Sequence, residues 1–284
     1  MALDAAGVAG VSLEDILFND VQEFLVQEAV VAGTIMDLTS RIKKGDQSVK
    51  VPRVTGLAVS DVKQDNTEAV SSNMGLTSDV MPLSSFKEVP DYIFEGGDLE
   101  STVDIKAAFL DAAPRVLADF IDADLITELK NASAAAPDHI QQLSEGVLNT
   151  RPSLADIQNA GLLLTKQNVP KTERFLLVSP EIKVHLMAKT EIQDASKAGS
   201  NTALVNGEFA RLFGFIMLES NNLAAAEMIA YHTTAAAWGM QKTVEFIEEQ
   251  QRSKGREFVS MRTKYGKKTL DAGVRQVFYN ATGA

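Results

Sequence analysis

Between Leu99 and Lys130 the apolar residues Val103, Ala107, Leu110, Leu117, Ile121, Leu125 and Leu129 recur three, four or seven positions apart, which lays them along one stripe of a helix. At 1.5 Å per residue such a helix reaches about 45 Å, so the rest of the chain has to be arranged along it. Pro114 removes a backbone donor from the middle of the run and crowds the turn before it, which predicts a kink or a break. The helix is expected to stop within "NASAAAPDH", at or before Pro137.

Upstream the texture differs. Residues 13–40 read as helical, with Leu13, Leu17, Val21, Leu25 and Ala29 every four positions and Ser12 as the N-cap. Past Gly45, "SVKVPRVTGLAVSDV" alternates Val49, Val51 and, after Pro52, Val54. A second extended run, "PLSSFKEVPDYIF", follows the polar segment 60–80. Two strands joined by a long Ser/Asp/Asn-rich connection predict an extended hairpin arm. Pro52 and Pro90 each delete a ladder donor, which confines these strands to an edge or a projection.

Downstream, Ser153 and Asp156 resemble a capping box with the shorter acid, opening a helix whose face carries Leu154, Ile157, Gly161 and Leu164 and which stops before Pro170. In "RFLLVSPEIKVHLMAK", Phe175 to Val178 reads as a strand. Ser179, Pro180 and Glu181 then supply the N-cap, N1 proline and first-turn acid of a helix. "EIQDASKAGSNTALVNG" reads as a mobile surface loop. In "FARLFGFIMLESNNL", Gly214 permits a sharp turn before a buried strand, Phe215 to Leu218, that ends in a polar corner from Glu219 to Asn222. Further strands are expected near 228–232, 244–248, 257–264 and 274–279. Helices and strands mix without βαβ alternation, so the fold class is α+β rather than a doubly wound sheet.

The chemistry available is narrow. The chain has no cysteine, which removes disulfides, thiolate nucleophiles and Cys-ligated metals. His139, His185 and His232 stand in three separate segments without ligand spacing, so no metal or other cofactor is expected. There is no G-x-S-x-G, P-loop or G-x-G-x-x-G motif, and Gly96-Gly97 reads as a turn. Glu248 and Glu249 are adjacent and point apart on a strand, as on a solvated face. The N-terminal stretch carries Asp4, Glu14 and Asp15 where a secretory signal carries Lys or Arg, and no apolar run is long enough to span a bilayer, so a soluble intracellular chain is expected.

Charge is polarised. Of a net −11, residues 251–276 hold Arg252, Lys254, Arg256, Arg262, Lys264, Lys267, Lys268 and Arg275 against Glu257 and Asp271, a local +6 that leaves −17 elsewhere. Val259 and Met261 share a strand face, with Arg262 and Lys264 expected on different faces. Such a segment can complement acidic surfaces of the same chain or of neighbouring copies, or touch phosphates; overall acidity limits any nucleic-acid contact to a local, weak one.

Three blocks carry a resemblance: "NGEFARLFGFIMLESNNL", "MIAYHTTAAAWGMQK" and "REFVSMRTKYGKKTLDAGVRQVFY", the last with Arg-x-x-Tyr-Gly-x-Lys before a final strand. In this order and spacing the chain resembles the major capsid proteins of tailed double-stranded DNA phages, the Hong Kong 97-like fold. The resemblance implies an N-terminal arm over 1–45, an extended hairpin, the E-loop, over 46–93, a peripheral domain with the spine helix over 94–149, an axial domain over 150–240, and C-terminal strands over 241–284 returning to the peripheral domain. It implies a structural, non-enzymatic protein of the virion capsid, assembled in the host cytoplasm into pentamers and hexamers of an icosahedral shell around the genome. Scaffolding, portal or decoration proteins are the implied further partners, the packaged DNA is touched weakly, and no membrane is involved. Subunit-interface residues are expected among Lys50, Arg53, Lys63 and Lys87 of the arm and Arg252, Arg256, Arg262, Lys264, Lys267 and Lys268 of the basic segment. Some members of the family cross-link an arm lysine to a neighbour's asparagine; Lys50, Lys63 and Lys87 stand in that arm, where solubility also calls for lysine. The rival of the same fold is an encapsulin-type nanocompartment shell housing enzyme cargo.

Overall fold

The computed structural model describes residues 29–55, 57, 74–94, 105–131, 139–146, 148, 150–189, 192 and 211–282. The elements in chain order are β1 (Met36–Asp37), β2 (Ser48–Thr55), β3 (Gly75–Pro82), β4 (Ser85–Phe94), α1 (Ile105–Lys130), β5 (Ile140–Gln142), α2 (Leu154–Lys166), β6 (Arg174–Val178), α3 (Pro180–Met187), β7 (Arg211–Leu212), β8 (Phe215–Glu219), β9 (Met228–His232), β10 (Ala236–Gln251), β11 (Arg256–Thr269) and β12 (Gln276–Asn280).

A mixed six-stranded sheet runs β5-β12-β9-β6-β8-β7. Its central strands have period-two side chains that are apolar on both faces. Leu177, Ile229, Tyr231 and Phe278 meet Leu117, Ile121, Leu125 and Leu129 of α1 on one face. Leu176, Val178, Met228, Ala230 and Val277 meet Ile157, Ala160 and Leu164 of α2 and Ile182 and Leu186 of α3 on the other. The local signals read in sequence fix these two helices. Ser153 Oγ accepts from the Asp156 amide and the Asp156 carboxylate from the Ser153 amide, and Ser179 caps α3 with Pro180 at its start. Asp156 also accepts from the Ser144 amide and hydroxyl at 3.1 and 2.8 Å, so the box ties the preceding loop to α2. Ser153→Ala is expected to lower stability by about 1 kcal/mol, read as a shift of the urea midpoint without a change in slope.

A second, four-stranded sheet runs β1-β10-β11-β4, and the hairpin β2-β3 stands apart from both sheets. Pro52 lies in that two-stranded hairpin and Pro90 in β4 at the edge of its sheet, the strand positions where a missing donor is tolerated.

Several expectations are corrected. Residues 29–40 are not helical: after a turn at 32–34 the chain forms β1 and a short 3-10 turn, Thr39–Arg41. The amides of Val30, Val31 and Ala32 donate to the Asp122 carboxylate instead of to a helix. The earlier part of that expected helix lies outside the described residues, as does most of the loop read at 191–207. Pro114 does not break α1, which continues through it. The carbonyl it orphans belongs to Leu110, a residue 39% exposed, where water can satisfy it. The stripe itself divides: Leu117, Ile121, Leu125 and Leu129 are buried, while Ala107 and Leu110 are exposed.

The hairpin partner of β2 is not β4. It is β3, taken from the segment read as a polar connection, and β4 pairs with β11. Ser78 and Asp79 weaken the strand signal of β3, and its Leu76 and Val80 stay exposed, so no buried alternation marks it. The strands expected at 244–248 and 257–264 are the middles of much longer β10 and β11. Arg262 and Lys264, expected on different faces, share one, because β11 keeps an unbroken register with β4 from Arg256 to Tyr265. β12 pairs with β5 and β9 in the six-stranded sheet, not with β10 and β11.

Candidate assembly surfaces

The hairpin β2-β3 has two unlike faces, because residues paired across antiparallel strands point the same way. The inward pairs are Val49 with Met81, Val51 with Asp79 and Arg53 with Thr77. Met81, Leu83, Leu38, Ala237 and Leu270 form a small core that Val49 and Val51 join. The outward pairs are Lys50 with Val80, Pro52 with Ser78 and Val54 with Leu76. Val54 and Leu76 are 51% and 68% exposed, and Met74, just before β3, is 56% exposed.

Both N-terminal segments cross the body at one place. Gly239 and Gly266 are opposite one another on β10 and β11. A Cβ on Gly239 would lie 2.6 Å from Ile42 Cδ1 and 3.1 Å from the Thr39 nitrogen; one on Gly266 would lie 2.4 Å from the Pro82 carbonyl oxygen. The glycine pair is a saddle over which residues 38–42 and 82–83 pass in backbone contact. Hydrogen bonds hold the crossing: the Leu38 amide donates to the Trp238 carbonyl at 2.8 Å and the Met240 amide to Thr39 Oγ1 at 3.1 Å.

Beside the saddle sits a charge knot. Asp271 bridges Arg53 of the hairpin and lies 3.6 Å from Arg275, and its amide donates to Asp79 Oδ2 at 3.0 Å. Asp271 and Ala272 both adopt positive φ, at 52° and 53°, ahead of Gly273 at 83°, so two ordinary residues hold a conformation that favours glycine. Burial lowers the Arg275 pKa, and the Arg53 charge adds to that effect. Because Arg53 is more than a third exposed, Arg53→Ala is expected to cost less than about 1 kcal/mol of global stability. It is nevertheless expected to raise the rate of limited proteolysis within the hairpin severalfold, read by mass spectrometry of the fragments.

The other expected interface residues fall into three groups. Lys87 lies 5.0 Å over the Phe120 ring, Arg256 stacks 3.8 Å over Tyr92 and donates to Gln251 at 2.9 Å, and Arg262 donates to Glu88 at 2.6 Å. Lys267 donates to the Asp124 carboxylate and carbonyl at 2.7 and 2.8 Å. Lys50, Arg252, Lys264 and Lys268 meet no carboxylate among the described residues, and Lys63 lies outside them. Within the basic segment Arg262, Lys267 and Arg275 meet carboxylates of the same chain, while Arg256, Arg262 and Lys264 line one face of β11. Lys106 meets Glu248 at 2.6 Å, and its hydrogen bond to that carboxylate, joined by one from Glu257, holds the Glu248 pKa low.

Three buried side chains escaped the sequence reading. Asp122, fully buried on α1, accepts from Val30, Val31 and Ala32 at 3.1, 2.7 and 3.3 Å and so pins the segment that leads to the N-terminus. Trp238 Nε1 donates to the Ala32 carbonyl at 3.0 Å, and Tyr231 and Thr34 share a hydroxyl contact of 2.6 Å. An acid beside the apolar stripe of α1 was the visible signal for Asp122. Among the described residues no cluster of His, Asp and Glu could hold a metal ion, and no helix is long and apolar enough to cross a membrane.

Solved structures match this fold over nearly its whole length. A structure from Mycobacterium phage Che8 matches with 21% identity and a TM-score of 0.69 over 95% of this chain and 98% of that one. The capsid structure of the cyanophage P-SCSP1u matches with 13% identity and a TM-score of 0.74 over 95% and 94%. The mature capsid of bacteriophage PhiM1 matches with 12% identity and a TM-score of 0.74 over 93% and 90%. The fold is therefore the α+β, Hong Kong 97-like capsid fold. A family model described as phage capsid protein matches residues 105–275, more than half of the chain, and the chain belongs to that family. No curated protein matches. The chain is a structural major capsid protein of the virion that assembles with its own copies, and the encapsulin reading is not favoured.

Proposed function

We propose that this chain forms pentamers and hexamers that close into an icosahedral shell around a double-stranded DNA genome, and that it does so without catalysis, in the host cytoplasm. The observation that carries the reading is the set of outward apolar residues Val54, Leu76 and Val80, exposed on a hairpin whose other face packs Val49, Val51 and Met81 into a small core. A two-stranded hairpin is marginal by itself, and an apolar face on a projecting one is stabilised when a neighbouring copy covers it. The layout of N-terminal arm (1–45), hairpin (46–93), peripheral (94–149, 241–284) and axial (150–240) parts is kept in this reading, with β12 bonded into the axial sheet. Lys50, Arg252, Lys264 and Lys268 serve contacts between copies. Scaffolding, portal or decoration proteins complete the particle. Net charge of −11 makes contact with the genome local and weak. Sedimentation velocity of the purified chain tests the reading. Pentamers, hexamers or larger closed species are expected, and a strict monomer under every assembly condition would overturn it.

A further inference from the structure

His232 ends β9 with its side chain buried, and its neighbours hold the ring in one protonation state. The Thr234 amide donates to Nδ1 at 3.2 Å. An amide only donates, so Nδ1 carries no proton. Thr234 Oγ1 lies 2.9 Å from the same nitrogen and accepts from Arg275 Nη1 at 2.7 Å. A guanidinium also only donates, which leaves the hydroxyl proton to point at Nδ1. Arg275, Thr234 and His232 thus form a directed relay.

This relay stands where the six-stranded sheet meets the base of the hairpin. The His232 amide donates to the Arg275 carbonyl at 3.1 Å, and the Leu270 amide donates to the Ala235 carbonyl at 2.8 Å. Residues 270–275 therefore hang on the turn at 232–235. They carry Asp271, which bridges Arg53 of the hairpin and, with Ala272, sits at positive φ. Two cations and one anion act on the imidazole: Arg174, opposite it on β6, Arg275 just ahead of β12, and Glu173. Burial lowers the His232 pKa; Glu173 raises it, Arg275 and Arg174 lower it again, the Thr172 carbonyl raises it, and the net shift is downward from 6.5.

We infer that His232 is an acid-sensitive switch: a proton on Nδ1 unties the turn at 232–235 and, with it, the loop that holds the base of the hairpin. The Thr234 hydroxyl can rotate to accept from a protonated Nδ1. The Thr234 amide cannot, so it is left facing another N–H, and the new charge stands beside Arg275. The native state holds this proton more weakly than the unfolded chain does. The stability that the neutral ring contributes is therefore complete above pH 6.5 and is lost as pH falls from there through the lowered native value.

Hydrogen exchange of the full chain before assembly, corrected for the intrinsic rate and compared between about pH 7.5 and 5.5, tests the switch. Protection at Thr234, Ala235 and Leu270 and in the hairpin strands β2 and β3 is expected to fall severalfold in acid, while that of α2 holds. His232→Asn keeps an acceptor oxygen for the Thr234 amide but takes up no proton, and is expected to abolish the response. A response that survives His232→Asn, or vanishes instead in His139→Gln or His185→Gln, would overturn the assignment. A response confined to the turn, with hairpin protection unchanged, would overturn the coupling. Should His232→Asn fail to fold, NMR of the imidazoles in the unmodified chain decides: with three histidines in the sequence, the spectra of His139→Gln and His185→Gln assign His232 by elimination. Titration of His232 below 6.5 is expected, and titration at or above 6.5 would overturn the switch.

Discussion

Gly266→Ala is expected to lower the thermal midpoint by roughly 6–12 °C, given about 3 kcal/mol for an uncompensated overlap at the upper end of overpacking costs, and to suppress shell formation. The added methyl would sit 2.4 Å from the Pro82 carbonyl oxygen, 2.8 Å from Leu83 Cδ2 and 3.1 Å from the Pro82 carbonyl carbon. Two of those atoms are backbone, so no rotamer change removes the clash. The chain at 82–83 is also the hinge between β3 and β4, and Leu83 and Met81 are buried in the small core beneath the hairpin. Moving it away from β11 therefore redirects the whole hairpin. Gly239→Ala, directly across the ladder, meets Ile42 Cδ1 at 2.6 Å but the backbone only beyond 3 Å. A flexible side-chain tip yields more easily, so its loss is expected to be about half as large. Differential scanning calorimetry on both variants, followed by assembly assays, reads the difference.

Asp122→Ala is expected to cost about 3–4 kcal/mol, since it leaves three amides without an acceptor inside the fold. One carboxylate oxygen takes all three, and the residue is fully buried. Loss of this anchor should release residues 29–35 from α1 and expose Tyr231 and Trp238, which hydrogen exchange at Val31 and tryptophan fluorescence would register. Burial raises the Asp122 pKa, while the bonds from Val31, Val30 and Ala32 oppose that rise. The native state then binds the proton more tightly than the unfolded chain does. Ionised Asp122 thus weighs against stability, and the weight grows as pH climbs from the ordinary carboxylate range through the raised native value. Asp122→Asn keeps an acceptor oxygen but cannot ionise. Its stability deficit relative to the unmodified chain should be smaller than that of alanine, and should narrow as pH rises across that window. A deficit that widens with pH would show the amide bonds outweighing burial.

What was legible in the sequence was local and periodic. The Ser153 box, the Ser179-Pro180 start and the Phe215 strand announce themselves because their signals are contained in a few neighbouring residues. The buried half of α1 was legible for the same reason, as four apolar positions at helical spacing. Partnerships were not. β2 pairs with β3 although β3 has a weak pattern; the small core that gathers Met81 with Val49 and Val51 lies on one face of that pairing. Residues 29–40 show helical spacing in isolation, yet their amides are claimed by an acid about ninety positions away. The glycines of "AAAWGMQK" and "KYGKK" were visible as letters, but their reason, two chain segments crossing over the sheet, exists only in three dimensions. The expected interface residues were chosen by charge, and charge alone does not separate Lys267, bound to Asp124 within the chain, from Lys50 on the outward face of the hairpin.

The central claim is that the hairpin straps one copy to the next in a closed shell. An electron cryo-microscopy reconstruction of the assembled particle tests it most directly. The account predicts five- and six-fold clusters in which Val54, Leu76 and Val80 are covered by a neighbouring copy. A closed shell whose hairpins stand in solvent, or a protein that never passes beyond the monomer, would contradict it.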